Sequence, residues 1–361
     1  MKKYSLFRKY FSIGVIIFFI GTCIVPSIQS EVPSEKTIIT VDDEPGDADF
    51  TSITEAVNAS NPGDTIEVYS GTYAEQEIHI KNNNITLLGI AHELGGGGDT
   101  GRPFINGNVS LGEVLWVDAS QVIISNFIIE NSNGYNAGCI LANKQNNITI
   151  SDCIIHTFKE GDHPNTGISV RGDHIKIINN EIHYCNPGIS ARTDSPLSVT
   201  ITGNIITECG IYGGIVIHCN QQNISGNKIK RCEEGIRISG TENIIYENDI
   251  ENCPICVEST NFEAPEKEQR GNIITHNNFK NYSWGVWWWR SIIFYFLGVY
   301  ITKKDQWIGN YWDTWIGVGP HRILGWLAVG IVFAIAESSI GVAIPWFEYD
   351  RYPAKEPYDI Q

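Results

Sequence analysis

The sequence has one methionine in 361 residues, and its repeats carry neither leucine-rich nor paired-helix signatures, which sets aside the helical and leucine-rich solenoids. Positive charge is scarce as well. Against 41 Asp and Glu stand 25 Lys and Arg, a formal net charge of -16, so a nucleic-acid partner, which demands clustered cations, is excluded. A neutral or cationic partner is compatible with that balance. No Cys-X-X-Cys pair has histidine partners; "CPIC" at Cys253 to Cys256 is the nearest approach to a zinc motif, and its strand setting makes it a poor one. No metal site and no cofactor is identified on this basis. What the chain does have is Asn, Ile and Gly, with 42% hydrophobic content. That composition allows a substantial core and favours β structure with tight bends, in one large or two ordinary domains.

The first 30 residues read as an export segment. Lys2, Lys3, Arg8 and Lys9 precede an apolar run from Phe11 to Val25, and "PSIQS" follows with small residues suited to cleavage. Cleavage would start the mature chain near Glu31; retention would leave an N-terminal anchor. Both readings put the body outside the cytoplasm, extracellular or at the cell surface. Sequons at Asn58, Asn84, Asn108, Asn147, Asn223 and Asn281 permit glycosylation there.

From about residue 120 the chain repeats itself. "IINNEIHYC", "ITGNIITEC", "ISGNKIKRC" and "IYENDIENC" end at Cys185, Cys209, Cys232 and Cys253, each five residues after an asparagine. Extended in both directions, this column runs 126, 153, 180, 204, 227, 248 and 277, with steps of 27, 27, 24, 23, 21 and 29 residues. Such a period signals a solenoid, and short alternating Ile/Val segments make it a coil of parallel strands. A second column, "GISV", "GISA", "GIVI" and "GIRI" at Gly167, Gly188, Gly214 and Gly235, opens a further strand in each coil.

These repeats resemble the right-handed parallel β-helix family with pectin-lyase-like folds, including the carbohydrate-binding and sugar-hydrolysis repeat domains and the NosD-like proteins. The resemblance covers roughly Val41 to Asn281. The expected fold is all-β: a single-stranded parallel β-helix solenoid over 31–281 with a short N-terminal capping helix, then an irregular aromatic and hydrophobic C-terminal cap over 282–361. Stacked coils place Ile177, Ile201, Ile224, Ile245 and Ile274 in one internal file, and Ile182, Ile206, Ile229, Ile250 and Phe279 in another. The asparagines become a ladder at a sharp bend. Stacked cysteines point in parallel rather than toward each other, so the eight beyond the signal are expected to be buried thiols.

Each end has its own signal. "DFTSITEAVNAS" spaces Phe50, Ile53, Ala56 and Val57 as a short helix, with Ser52 and Glu55 as a capping box. "GTYAE" at Gly71 to Glu75 is similar to the opening segment of pectinesterases and of many non-enzymatic relatives. At the other end, the apolar stretches 284–301 and 323–347 offer membrane contact or a hydrophobic cap; a bilayer span over 323–347 would be interrupted by Glu337. "GNYWD" and "PYDI", at Gly309 to Asp313 and Pro357 to Ile360, resemble the terminal cap of archaeal β-helix proteins.

Alternation puts Ser169 and Arg171 outward, then Ser190 and Arg192, Val216 and His218, Arg237 and Ser239, and Cys256 and Glu258, with Asp173, Asp194 and Asn220 on the adjoining turn. Arg171, Arg192, Asp173, Asp194, His218 and Glu258 are therefore the candidate ligand-binding residues. Arg171 and Arg192 suit carboxylates or sugar hydroxyls; Asp173 and Asp194 can take a calcium ion or, with His218, share acid and base roles. The bland account pairs the arginines with the aspartates on a solvated face. Against catalysis, "RTD" at Arg192 to Asp194 is only faintly similar to a polygalacturonase motif, and the paired aspartates, pectinesterase motifs and pectate-lyase arginine motif are missing. The functional expectation is an exported surface protein that binds polysaccharide or cell-envelope glycan, with a polysaccharide lyase or glycoside hydrolase, and a structural adhesin, as alternatives.

Overall fold

The structure is a computed structural model that describes residues 36–360 except 96, 108–111, 131–137, 158–164, 194–197, 261–270, 284, 296–297, 302–303 and 334–337. Three long parallel sheets run side by side, and successive coils give one strand to each in turn. The first sheet has 11 strands from Ile38–Val41 to Gln306–Ile308, the second 10 from Thr72–Tyr73 to Tyr311–Trp312. The third starts at Ile78–Ile80 and has 12 on its main path. A right-handed parallel β-helix is the result, and the expected fold class holds.

Its core is made of files. Ile177, Ile201, Ile224, Ile245 and Ile274 pair in register along the first sheet, and Ile182, Ile206, Ile229, Ile250 and Phe279 along the second. All are fully buried, each burial stabilising by roughly 1.5–3 kcal/mol. Cys185, Cys209, Cys232 and Cys253 form the expected single file of free, buried thiols, each sulfur near the carbonyl two residues earlier, as with Cys185 Sγ to His183 O at 3.2 Å. The glycine column also has a physical cause. A Cβ at Gly188 would lie 2.7 Å from Gly214 O and 3.1 Å from Cys209 Sγ, so the strand edge and the thiol file leave no room for one.

The asparagine ladder is present, with one correction. Asn180, Asn204, Asn227, Asn248, Asn277 and Asn310 are fully buried, and each Nδ2 donates to the next Oδ1 at 2.9–3.0 Å. The left-handed bend falls on the residue before each, from Asn179 (φ 55°) to His276 (φ 56°). Asn126 (φ 67°) belongs to that bend column, because Ile124 pairs with Ile150 and Ile150 with Ile177. Phe127, not Asn126, therefore occupies the ladder position.

The capping helix spans Ile53–Ala59 and buries Ile53, Ala56 and Val57. Ser52 Oγ accepts from Glu55 N at 3.3 Å, as the capping box requires. The reciprocal acid comes from farther away. Glu75 of "GTYAE" accepts from the Ile53 and Thr54 amides at 2.7 and 2.8 Å, closing the helix N-terminus against the first coil.

The tail forms strands. His321–Phe333 and Ser338–Asp350 pair antiparallel, and the former pairs parallel with Gly285–Tyr295. Among the described residues no helix is long and apolar enough to cross a membrane. "GNYWD" and "PYDI" do meet: Asn278 Nδ2 donates to Tyr358 O at 2.8 Å and Tyr358 OH to Gly309 O at 2.5 Å. Asp350 ends the ladder by accepting from Asn310 Nδ2 (3.1 Å), Asn310 N (2.9 Å) and Trp312 Nε1 (3.2 Å).

Candidate functional site

The outer face of the third sheet carries two side-chain columns, and register decides what meets what. In one, Asn143, Arg171, Arg192 and His218 follow one another on successive strands. In the other, Ser169, Ser190, Val216, Arg237 and Glu258 do. Two sequence placements change. Glu258 stands beside Arg237, not in the His218 column, and Cys256 points inward and is fully buried. The cause is coil length: the step from Arg237 to Glu258 is the 21 residues that separates Cys232 from Cys253. Val216 is outward in register but almost covered, at 5% exposure.

Arg237 is the electrostatic centre. Its Nη2 lies 2.5 Å from Glu234 Oε1, and its Nε lies 2.7 Å from Glu258 Oε2. One guanidinium holds two carboxylates in a partly buried place. Burial pushes Glu234 up to about 7; Arg237 opposes that shift, while Glu258 beside it adds to it. Sequence reasoning missed Glu234, since alternation alone gives no reason to single out the first residue of "EGIRI".

Arg192 is exposed, and among the described residues it has no carboxylate partner. His218 next to it is also exposed at the surface, yet desolvation of its ring, then the charges of Arg192 and Arg237, hold the imidazole below its ordinary value. At neutral pH His218 is thus an uncharged hydrogen-bonding ring beside two cations. Asp173 Oδ1 accepts from Thr193 Oγ1 at 2.6 Å, so part of its capacity serves the turn. Asn220 is structural, taking Thr241 N at 2.7 Å. Asp194, half of the expected aspartate pair, lies outside the described residues.

Two further features escaped the sequence reading. On the same face, three strands before Ser190, His79 stacks on Trp116 with centroids 5.5 Å apart and planes 8° from parallel. His79 Nδ1 lies 2.7 Å from Asp118 Oδ2. An isolated Trp in an early coil gives no sequence signal until register places it over a histidine. On the second sheet a cleft of about 320 Å³ is lined by Thr72, Asp99, Arg102, Phe104, Glu130 and His156 among others. His156 Nδ1 is 3.4 Å from Glu130 Oε2 there; burial lowers the imidazole's proton affinity and Glu130 partly restores it.

A family model agrees with the architecture over part of the chain. The right handed beta helix region family model matches residues 138–296. No curated protein matches the chain. Among solved structures the chain is similar to a PL6 alginate lyase in complex with trisaccharide, at 14% identity, a TM-score of 0.49, and 76% of this chain against 59% of that one. The alginate lyase AlyF-OU02 in complex with G6 gives 14%, 0.44, 68% and 55%. Pectate lyase Pel9A gives 15%, 0.46, 77% and 80%. The chain therefore spans less than two thirds of either alginate lyase's own length. The family model and the three-sheet topology together describe a right-handed parallel β-helix.

Proposed function

We propose that the chain is an exported β-helix protein that binds an acidic polysaccharide along the outer face of the third sheet. The carrying observation is the in-register column Arg171, Arg192, His218, with the His79 and Trp116 stack farther along the same face. Strands repeat about every 4.8 Å, so Trp116 and Arg192 are separated by roughly 14 Å along the axis, a span suited to a few sugar units of an extended chain. An aromatic face takes the apolar side of a pyranose ring, and a guanidinium takes a uronate carboxylate. On a body with a net charge of -16, the two arginines of that column, with His218 beside them as an uncharged hydrogen-bonding ring, confine an anionic ligand to it. The resemblance of the repeats to carbohydrate-binding and sugar-hydrolysis domains supports this reading.

The test is affinity electrophoresis and a glycan array with polyuronates and neutral glucans. Arg192→Ala and Trp116→Ala should each weaken polyuronate binding about tenfold with unfolding temperature unchanged, while Arg231→Ala, on a different face, leaves it intact. Equal binding by wild type and both variants, or no glycan bound at all, would sink the proposal and favour an adhesin.

A second reading, a lyase or glycoside hydrolase, draws on Glu234. A carboxyl titrating near neutrality beside Glu258 can donate or take a proton. Product release from a bound polyuronate that disappears in Glu234→Gln would establish it.

A further inference from the structure

At the N-terminal end, carboxylates crowd where sequence reading saw only the approach to the helix. Asp42, Asp43 and Glu44 follow the strand Ile38–Val41, and each offers one oxygen within 4.8 Å of the others. Glu44 does the same with Glu93 and Asp99, which lie between the strands Thr86–Gly89 and Phe104–Asn106. Asp42 is fully buried, and neither of its carboxylate oxygens has a hydrogen-bond partner. Buried oxygens of Asp43, Glu44 and Glu93 are likewise unpartnered. Among the described residues, the few donors that do reach the cluster are backbone amides, Thr72 N to Asp43 Oδ2 at 3.0 Å and Asp99 N to Glu93 Oε2 at 3.2 Å.

Carboxylates crowded together without donors repel one another unless a proton or a cation neutralises them. No Lys, Arg or His ion pair serves any of the five among the described residues. The backbone, by contrast, makes room for them. A Cβ at Gly71 would fall 2.1 Å from Asp43 Oδ1, and one at Gly97 would fall 2.4 Å from the Glu93 carboxyl carbon.

The geometry points to a calcium site formed by Asp42, Asp43, Glu44, Glu93 and Asp99, which ties the first strand to the loop between Thr86–Gly89 and Phe104–Asn106. Carboxylate oxygens are the donors of the cluster, a set that favours a hard cation over zinc or copper, which prefer nitrogen and sulfur. Calcium accepts six to eight oxygens from carboxylates in irregular arrangements, whereas magnesium holds to a small octahedron and keeps its waters. Asp99 and Gly71 also line the second-sheet cleft, so the ion stiffens that wall. The site is independent of the glycan row on the third sheet.

The experiment uses the purified full chain, stripped with EDTA and then given 1 mM CaCl2 or 1 mM MgCl2. Calcium should raise the unfolding temperature by about 3 °C or more, magnesium by much less. Terbium should show luminescence sensitised by Tyr73, whose hydroxyl feels the charges of Asp42, Asp43, Glu44 and Glu93. Asp42→Asn should abolish the calcium shift and melt no lower than wild type in EDTA, since it removes an unpaired buried charge. Glu251→Gln, in a surface ion pair, should keep the full shift. An unchanged wild-type melting temperature without terbium signal would overturn the site, and equal calcium and magnesium shifts would overturn the choice of ion.

Discussion

At the scale of single residues, the third-sheet face is governed by how many charges share one partner. Arg237 cannot neutralise Glu234 and Glu258 equally, and Glu234, the more buried of the two, titrates near 7 against an ordinary 4.5. Between those values the folded chain holds a proton that the unfolded chain has released. The stability this supplies is complete below pH 4.5 and lost as pH rises through 7. Glu234→Gln removes that dependence. Going from pH 5 to pH 8, wild type should lose on the order of 1 kcal/mol relative to Glu234→Gln in urea unfolding, after discounting for solvent screening. Parallel pH profiles for the two proteins would show that Arg237 keeps Glu234 ionised throughout.

At the scale of the element, one coil is held to the next by its asparagine. Asn227 Oδ1 accepts from Asn204 N and Nδ2, both at 3.0 Å, while its own Nδ2 donates to Ile201 O and Asn248 Oδ1 at 3.1 and 2.9 Å. Asn227→Ala would strand those groups in a dry interior, at about 1–3 kcal/mol for each left unsatisfied. A loss of about 3 kcal/mol or more is expected by denaturant unfolding, against less than about 0.5 kcal/mol for exposed Asn143→Ala. Similar losses for both would mean that the ladder is not what joins the coils. This level was the most legible in the sequence, because inward positions repeat whatever the loops do. Isoleucine files, ladder and thiol file could all be read from spacing, and only the first rung slipped, by one residue, from Phe127 to Asn126. The outward face was harder. Its columns depend on coil length, so a miscount of two residues moved Glu258 out of the Arg237 column. Glu234, the Trp116 stack and the acidic cluster unite residues far apart in sequence or without periodicity, and only the stacking itself brings them together.

At the scale of the whole molecule, a stack in which each coil touches only its neighbours should fray from its ends. The N-terminal end is shut by the Ile53–Ala59 helix, itself anchored by Glu75. At the other end Trp312 is buried against Phe279, with centroids 4.5 Å apart, and stacks on His321 at 4.3 Å. Asp350 completes that closure, as terminal acceptor of the ladder and as partner of the Gly309 and Tyr352 amides, both at 3.1 Å. Asp350→Ala leaves Asn310 Nδ2 and Trp312 Nε1 without this acceptor, so the last rung should open first. Native-state hydrogen exchange should then quicken tenfold or more at Asn310 and Trp312, less at Asn277, and not at all at Asn180, four rungs farther in. A uniform rise at all rungs would instead show that the coils unfold as one cooperative unit, and the nearest-neighbour account of this solenoid's stability would fail.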